Sequence, residues 1–254
     1  MPDSAILPGA EPWSHPGGPV GALVVHGFTG SPQSMRPLAE ALAAAGCTVE
    51  MPLLPGHGTT VDDMLTTSWA DWSAAAEAAY LDLAHRCERV VVAGLSMGGT
   101  ITLWLASRHP AIAGIVLVNP AVGDPEGSPA MIAGLRALLD AGETTMDAIG
   151  ADIALEGATE LSYERTPIAP LISLVEATAE VRAGLGWITC PVLLCTSPQD
   201  HVVPASDSDR VAAGVDGPVE RVTLERSYHA ATLDHDAALI EARAVAFVEA
   251  VGAR

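Results

Sequence analysis

The sequence predicts an α/β fold: a mainly parallel central sheet flanked by helices, with a helical cap inserted late in the order. Three observations carry that prediction. Short apolar runs alternate with helical patterns along 254 residues, the order that builds a parallel sheet covered on both faces. The runs at 90–94 and 113–118 are continuously apolar rather than alternating, as strands buried on both faces are. One interval, between Val118 and Val192, holds about seventy residues where a simple crossover needs roughly a dozen.

The Pro/Gly-rich start, through Gly18, reads as a loop or edge segment. The first strand is 21–26 (GALVVH), and a helix follows over about 33–45. A second strand spans 47–52, then a helix 69–86 leads to the third strand at 89–94. A largely apolar helix over 97–108 stops at Arg108-His109-Pro110, and the fourth strand is 113–118 (AGIVLV). In the long interval Met131, Ile132, Leu135, Leu138 and Leu139 fall on one helical face, as do Ile168, Leu171, Ile172 and Val175. These patterns predict a helical cap over 121–186, dividing a sheet core made of 1–120 and 187–254. Extra core helices remote from any site are the alternative. Strands at 191–196 (PVLLCT) and 218–224 complete the sheet, with helices at 205–213 and 235–252.

Composition narrows the chemistry. All 12 basic residues are arginine, so Schiff-base chemistry and a Walker-type phosphate loop, which need lysine, are excluded. A net charge of −19 argues against nucleic acid and strongly anionic membranes as partners. The four cysteines show no metal-ligand spacing, and the odd separation of Cys190 and Cys195 puts them on opposite faces of one strand. The expectation is free thiols in a reducing compartment, with no metal and no cofactor. No secretory leader and no bilayer-spanning apolar run is read, so the chain is expected in the cytoplasm.

The chemistry concentrates at "VVVAGLSMGGT" (90–100), where Gly94 and Gly98 bracket Ser96 between a strand and a helix. A lone G-x-S-x-G is a weak signal; the strand–turn–helix context is what gives it weight. A serine hydroxyl needs a base to take its proton, and the base needs an acid to fix its tautomer. On sheets that use such a serine turn, the partners follow in the order Ser, Asp/Glu, His. "SPQDHVVP" puts Asp200 just beyond the 191–196 strand, and "ERSYHAATLDHD" puts His229 just beyond 218–224. Both fall at the sheet edge where open α/β folds build their sites. Asp124, after the 113–118 strand, is the alternative acid; Asp200 is preferred because its turn directly precedes the unit that carries His229. His201 and His235 read more simply as solvated or capping residues, and His57 as a satisfied loop histidine. A developing oxyanion needs backbone donors. The N–H of Met97 is one, and the N–H of Phe28, in the HGFTG loop after the first strand, is the other.

Taken in order, HGFTGSP (26–32), PGHGT (55–59), GLSMGG (94–99), ELSYERTP (160–167), DHVVP (200–204) and SYHAATLD (227–234) make the resemblance specific. The chain resembles the bacterial monoacylglycerol lipases and related small carboxylesterases of the α/β-hydrolase superfamily, over nearly its whole length from about residue 20. The resemblance implies Ser96, Asp200 and His229 as the triad, with Phe28 and Met97 as oxyanion donors. It further implies a cap glutamate at the glycerol end and a cap isoleucine shaping the pocket, assigned to Glu164 and Ile153. The expected reaction is hydrolysis of monoacylglycerols, with a general carboxylesterase for short- to medium-chain esters as the alternative. A non-catalytic binding protein on this fold would show a lost triad member, and none is lost. The expected partner is a lipid ester substrate, with transient contact with lipid aggregates but no stable membrane insertion.

Overall fold

The computed structural model describes residues 4–148 and 150–253. The strands are β1 (Trp13–His15), β2 (Val20–Val25), β3 (Thr48–Met51), β4 (Arg89–Leu95), β5 (Ile112–Val118), β6 (Thr145–Asp147), β7 (Arg165–Pro167), β8 (Val192–Thr196) and β9 (Val219–Thr223). The helices are α1 (Arg36–Ala44), α2 (Val61–Met64), α3 (Trp69–Arg86), α4 (Met97–Arg108), α5 (Ser128–Asp140), α6 (Ile168–Gly184), α7 (Ala205–Gly214) and α8 (Ala237–Gly252). Seven strands form one sheet in the order β1-β3-β2-β4-β5-β8-β9, parallel except for β1 against β3.

Alternation along each central strand divides the core in two. Leu23, Val25, Val90, Val92, Ile115, Leu117, Val192 and Leu194 face α3, α4 and α6. Their neighbours Ala22, Val24, Val91, Ala93, Val116, Val118, Leu193 and Cys195 face α1 and α8. Each Val, Leu or Ile side chain among them contributes roughly 1.5–3 kcal/mol on leaving water, which explains why these strands read as mainly aliphatic runs. Cys195 lies in the second layer while Cys190 packs against the first, and all four cysteines are free. No helix among the described residues is long and apolar enough to cross a membrane.

One feature sharpens the sequence reading of an edge segment and one differs from it. β1 adds an antiparallel edge strand within the Pro/Gly-rich start, where Trp13 pairs with Met51 and His15 with Val49. The interval between β5 and β8 is not wholly helical: β6 and β7 form a two-stranded antiparallel ladder between α5 and α6. α6 belongs to two environments. Leu174 and Val181 enter the core layer shared with α4, whereas Ile168 and Ile172 pack on Leu135 of α5 in a small separate cluster.

Candidate active site

Ser96 sits between the end of β4 and the start of α4, with φ 55° and ψ −119°. A non-glycine residue with positive φ is uncommon and costs of order 1–3 kcal/mol, and such strain clusters at active sites. The neighbouring glycines are sterically required. A Cβ on Gly94 would lie 2.1 Å from the Gly98 carbonyl oxygen, and one on Gly98 would lie 2.1 Å from that of Val25. Hydrogen bonds hold the turn: the Ser96 N–H donates to Val118 O (3.0 Å), and Ser96 O accepts from Thr100 N–H (3.1 Å). Gly27, in the loop after β2, brings its backbone close enough that a Cβ there would be 3.5 Å from Ser96 Cβ. Among the described residues, neither the Phe28 N–H nor the Met97 N–H has an acceptor.

His229 and Asp200 meet in the loops that follow β9 and β8. His229 Nδ1 lies 2.7 Å from Asp200 Oδ2, and Asp200 Oδ1 accepts the N–H groups of Val202 and Val203, each at 2.8 Å. With both oxygens engaged, Asp200 is a fixed acceptor that keeps the ring proton on Nδ1 and leaves Nε2 free to act as a base. Ser96 and His229 line the same cavity without a direct hydrogen bond among the described residues. Such contacts are often looser before substrate binds.

Two residues that sequence reasoning missed hold this arrangement. Asn119, at φ 45° just after β5, donates its side-chain amide to Ser197 Oγ (3.0 Å) and His229 O (2.9 Å), while its Oδ1 accepts from Ser197 N–H (2.8 Å). Asp152 accepts the N–H groups of His229 (3.1 Å) and His201 (3.0 Å) on one carboxylate oxygen. One buried amide and one carboxylate thus tie the loops after β8 and β9 together. Both bind mainly backbone groups of residues far away in the chain, so neither carries a motif.

The rival residues find other work. Asp124 accepts the N–H groups of Glu126 and Gly127 and pairs with Arg210 at 3.2 Å. His201 is an exposed partner of Asp152 (2.8 Å), and His235 gives its N–H to Asp234 Oδ1 (2.7 Å). His57, read from the sequence as a satisfied loop histidine, is satisfied at one nitrogen only: it is buried beside His26 and Trp72, its Nδ1 faces Pro55 O at 3.0 Å, and its buried Nε2 has no hydrogen-bond partner among the described residues.

A cavity of about 200 Å³ opens over Ser96 and His229. Phe28, Leu95, Met146, Leu171 and Val202 supply apolar wall, and Glu160 supplies a carboxylate. Burial pushes the Glu160 carboxyl above the usual range, against the opposing pull of His229. Glu164 lies elsewhere. It is exposed, and its carbonyl accepts the Ala148 N–H at 3.3 Å as the chain turns into the β6–β7 ladder. The cavity therefore takes its buried carboxylate from four residues earlier than the resemblance assigned; Asp147, at the rim, is exposed and paired with Arg165. Ile153 is half-buried and does not line the cavity; its neighbour Ala154 is held by Asp234 at 2.7 Å.

Comparison with known proteins fits this geometry. The family model described as serine aminopeptidase S33 matches residues 20–236. A thermostable monoacylglycerol lipase of Bacillus sp. (strain H-257) is 47% identical over 245 residues, covering 95% of each chain. A carboxylesterase of Bacillus subtilis (strain 168) is 26% identical, covering 94% of this chain and 96% of its own. Among solved structures, one from work on LipS and LipT, two metagenome-derived lipolytic enzymes, superposes with a TM-score of 0.91 at 42% identity, covering 96% of this chain and 99% of that one. The chain belongs to the serine aminopeptidase S33 family of α/β hydrolases, together with the bacterial monoacylglycerol lipases and small carboxylesterases.

Proposed function

We propose that this protein is a serine hydrolase that cleaves monoacylglycerols to glycerol and free fatty acid. One observation carries the reading: Ser96, His229 and the Glu160 carboxylate share a single, mostly apolar cavity. An ester with a long apolar chain and a hydroxyl-bearing alcohol has a matching wall for each part.

In the first half-reaction His229 Nε2 takes the proton of Ser96, whose oxygen attacks the ester carbonyl. The N–H groups of Phe28 and Met97 donate to the resulting oxyanion, an interaction that matters most when the charge has developed. As the tetrahedral intermediate collapses, the C–O bond to glycerol breaks and His229 returns the proton to the leaving oxygen. Water then enters, loses a proton to His229 and attacks the acyl carbonyl; Ser96 leaves with that proton and the fatty acid is released. Asp200 stabilises the imidazolium in both halves. Glu160 accepts a hydrogen bond from a glycerol hydroxyl, while the apolar wall gains about 0.8 kcal/mol per buried methylene of the acyl chain.

A fluorophosphonate probe should label the wild type and fail on Ser96→Ala. Across mono-, di- and triacylglycerols, turnover should concentrate on the monoacyl form. Glu160→Ala should cut kcat/KM for monoacylglycerol by about ten- to a hundredfold, the worth of a hydrogen bond to a charged acceptor, and spare the matching methyl ester. Equal probe labelling of Ser96→Ala would remove the nucleophile assignment. A methyl ester turned over as well as the glycerol ester, with no effect of Glu160→Ala on their ratio, would favour a general carboxylesterase.

A further inference from the structure

The HGFTGSP stretch continues into Gln33, a residue that the triad and the oxyanion loop leave without a task. Gln33 lies in the single-turn helix Pro32–Met35 that leads into α1. Its side-chain amide is used at both ends, on a segment 127 residues away. Oε1 accepts the Leu161 N–H at 2.9 Å, and Nε2 donates to Thr159 O at 3.0 Å. These two backbone groups flank Glu160. A primary amide offers one acceptor and a pair of donors on a rigid plane, so this two-point grip fixes the backbone on both sides of Glu160 at once. A single contact would leave the segment free to swivel about it.

The surroundings reinforce the grip. The Tyr163 N–H donates to Thr29 O (3.1 Å), and the Tyr163 hydroxyl donates to Gly56 O (2.7 Å) while accepting from Thr59 N–H (3.0 Å). Gly30 gives the carboxylate its room: a Cβ there would lie 3.2 Å from Glu160 Oε1. The loop that carries Phe28 therefore also sets where the Glu160 carboxylate can go.

We infer that Gln33 is a specificity-determining positioning residue, which aims Glu160 at the alcohol part of the ester and keeps it in register with the oxyanion loop. The inference rests on the reading that Glu160 holds the glycerol end. Gln33 touches no substrate and acts only through Glu160. Removing it should affect esters whose alcohol carries hydroxyls and leave esters without them alone. Misplacing a positioned group by ~1 Å can cost as much as 10²-fold, and a contact present before and during the reaction is expected mainly in KM.

The test compares kcat/KM for a monoacylglycerol and for the methyl ester of the same acid on wild type, Gln33→Ala, Gln33→Met and Glu160→Ala. The ratio of the two values on one preparation cancels differences in folded enzyme, so a poorly folding variant still gives an answer. Gln33→Met keeps most of the side-chain volume and loses both hydrogen bonds. The expected result is a fall of about tenfold in the ratio for both Gln33 variants, largely through KM for the monoacylglycerol, with a fall at least as large for Glu160→Ala. If Glu160→Ala lowers the ratio and the Gln33 variants do not, the clamp is wrong and the alcohol site stands. If Gln33→Met keeps wild-type selectivity while Gln33→Ala loses it, packing rather than the two bonds is responsible, and the inference falls. Equal losses on both substrates would make Gln33 a structural residue only. An unchanged ratio in Glu160→Ala would remove the alcohol-site reading itself, and the inference with it.

Discussion

Replacing His57 with asparagine should make the fold markedly less sensitive to mild acid. His26 and His57 are 0% and 1% exposed, with ring centroids 4.9 Å apart. Each Nδ1 faces a backbone carbonyl, Gly27 O at 2.9 Å and Pro55 O at 3.0 Å, and His26 Nε2 accepts the Leu54 N–H at 3.2 Å. Acceptance at Nε2 makes His26 neutral with its proton on Nδ1, and burial with no partner at Nε2 disfavours the charged form of His57. Burial lowers the His26 pKa to about 4; burial, aided by His26 alongside, lowers that of His57 to about 3. In the unfolded chain both return to about 6.5. Between those values the unfolded state binds more protons than the folded one, so stability rises with pH there. The contribution is fully present above about pH 6.5 and drains away as the pH falls toward 3. At pH 5 the unfolded rings have gained protons over about 1.5 pH units while the folded ones have not, at 1.36 kcal/mol per unit, or about 2 kcal/mol per ring. That figure is insensitive to how far below 5 the folded values lie. Urea unfolding at pH 7 and pH 5 measures it. The wild type should lose about 4 kcal/mol through this pair, and His57→Asn about 2 kcal/mol. Asparagine is the chosen substitute because its amide can still donate to Pro55 O. An identical loss between pH 7 and pH 5 in variant and wild type would refute the neutral-pair reasoning.

Other outcomes follow from single contacts. Asp200→Asn should lower kcat by about 10⁴, as the equivalent change does in a serine protease triad, whereas Asp124→Asn, which loses only caps and a surface ion pair, should stay near wild type. Asp152→Ala leaves the His229 and His201 N–H groups without their acceptor; kcat on a methyl ester should fall about tenfold or more, with KM little changed. Gly98→Ala would drive a Cβ to 2.1 Å from Val25 O, beyond the roughly 1–3 kcal/mol of ordinary overpacking, and the urea midpoint should drop accordingly.

What the sequence could disclose follows from the range of the forces involved. β2, β4, β5 and β8 are legible because burial on both faces leaves runs of mainly aliphatic residues along them. The positions of Asp200 and His229 are legible because a parallel sheet delivers the ends of β8 and β9 to the edge that holds Ser96. β1 is legible only as a loop or edge segment because Trp13-Ser14-His15 has no apolar run and pairs only at a sheet edge. The β6–β7 ladder is equally hidden, with three residues in each strand and a proline ending β7. Glu160 and Glu164 are both acidic residues of ELSYE. Choosing between them requires contacts with Gln33 and Thr29, more than a hundred residues away, which no local pattern encodes.

The stretch from Asp152 to Tyr163 is sewn at one end to the His229 loop, through Asp152 and Asp234, and at the other to Gln33 and Thr29. Between the seams Glu156 and Gly157 are exposed, and Gly157, at φ 82°, has open space around it. For an engineer this divides the stretch into a fixed frame and a free port. Residues or whole peptides grafted at 156–158 would decorate the protein without shifting the register of the His229 loop, the Phe28 loop and the Glu160 carboxylate. Length changes at either seam would break that register. Libraries aimed at new alcohols therefore belong on the side chains facing the cavity, while tags, anchors and fusion partners belong at Gly157.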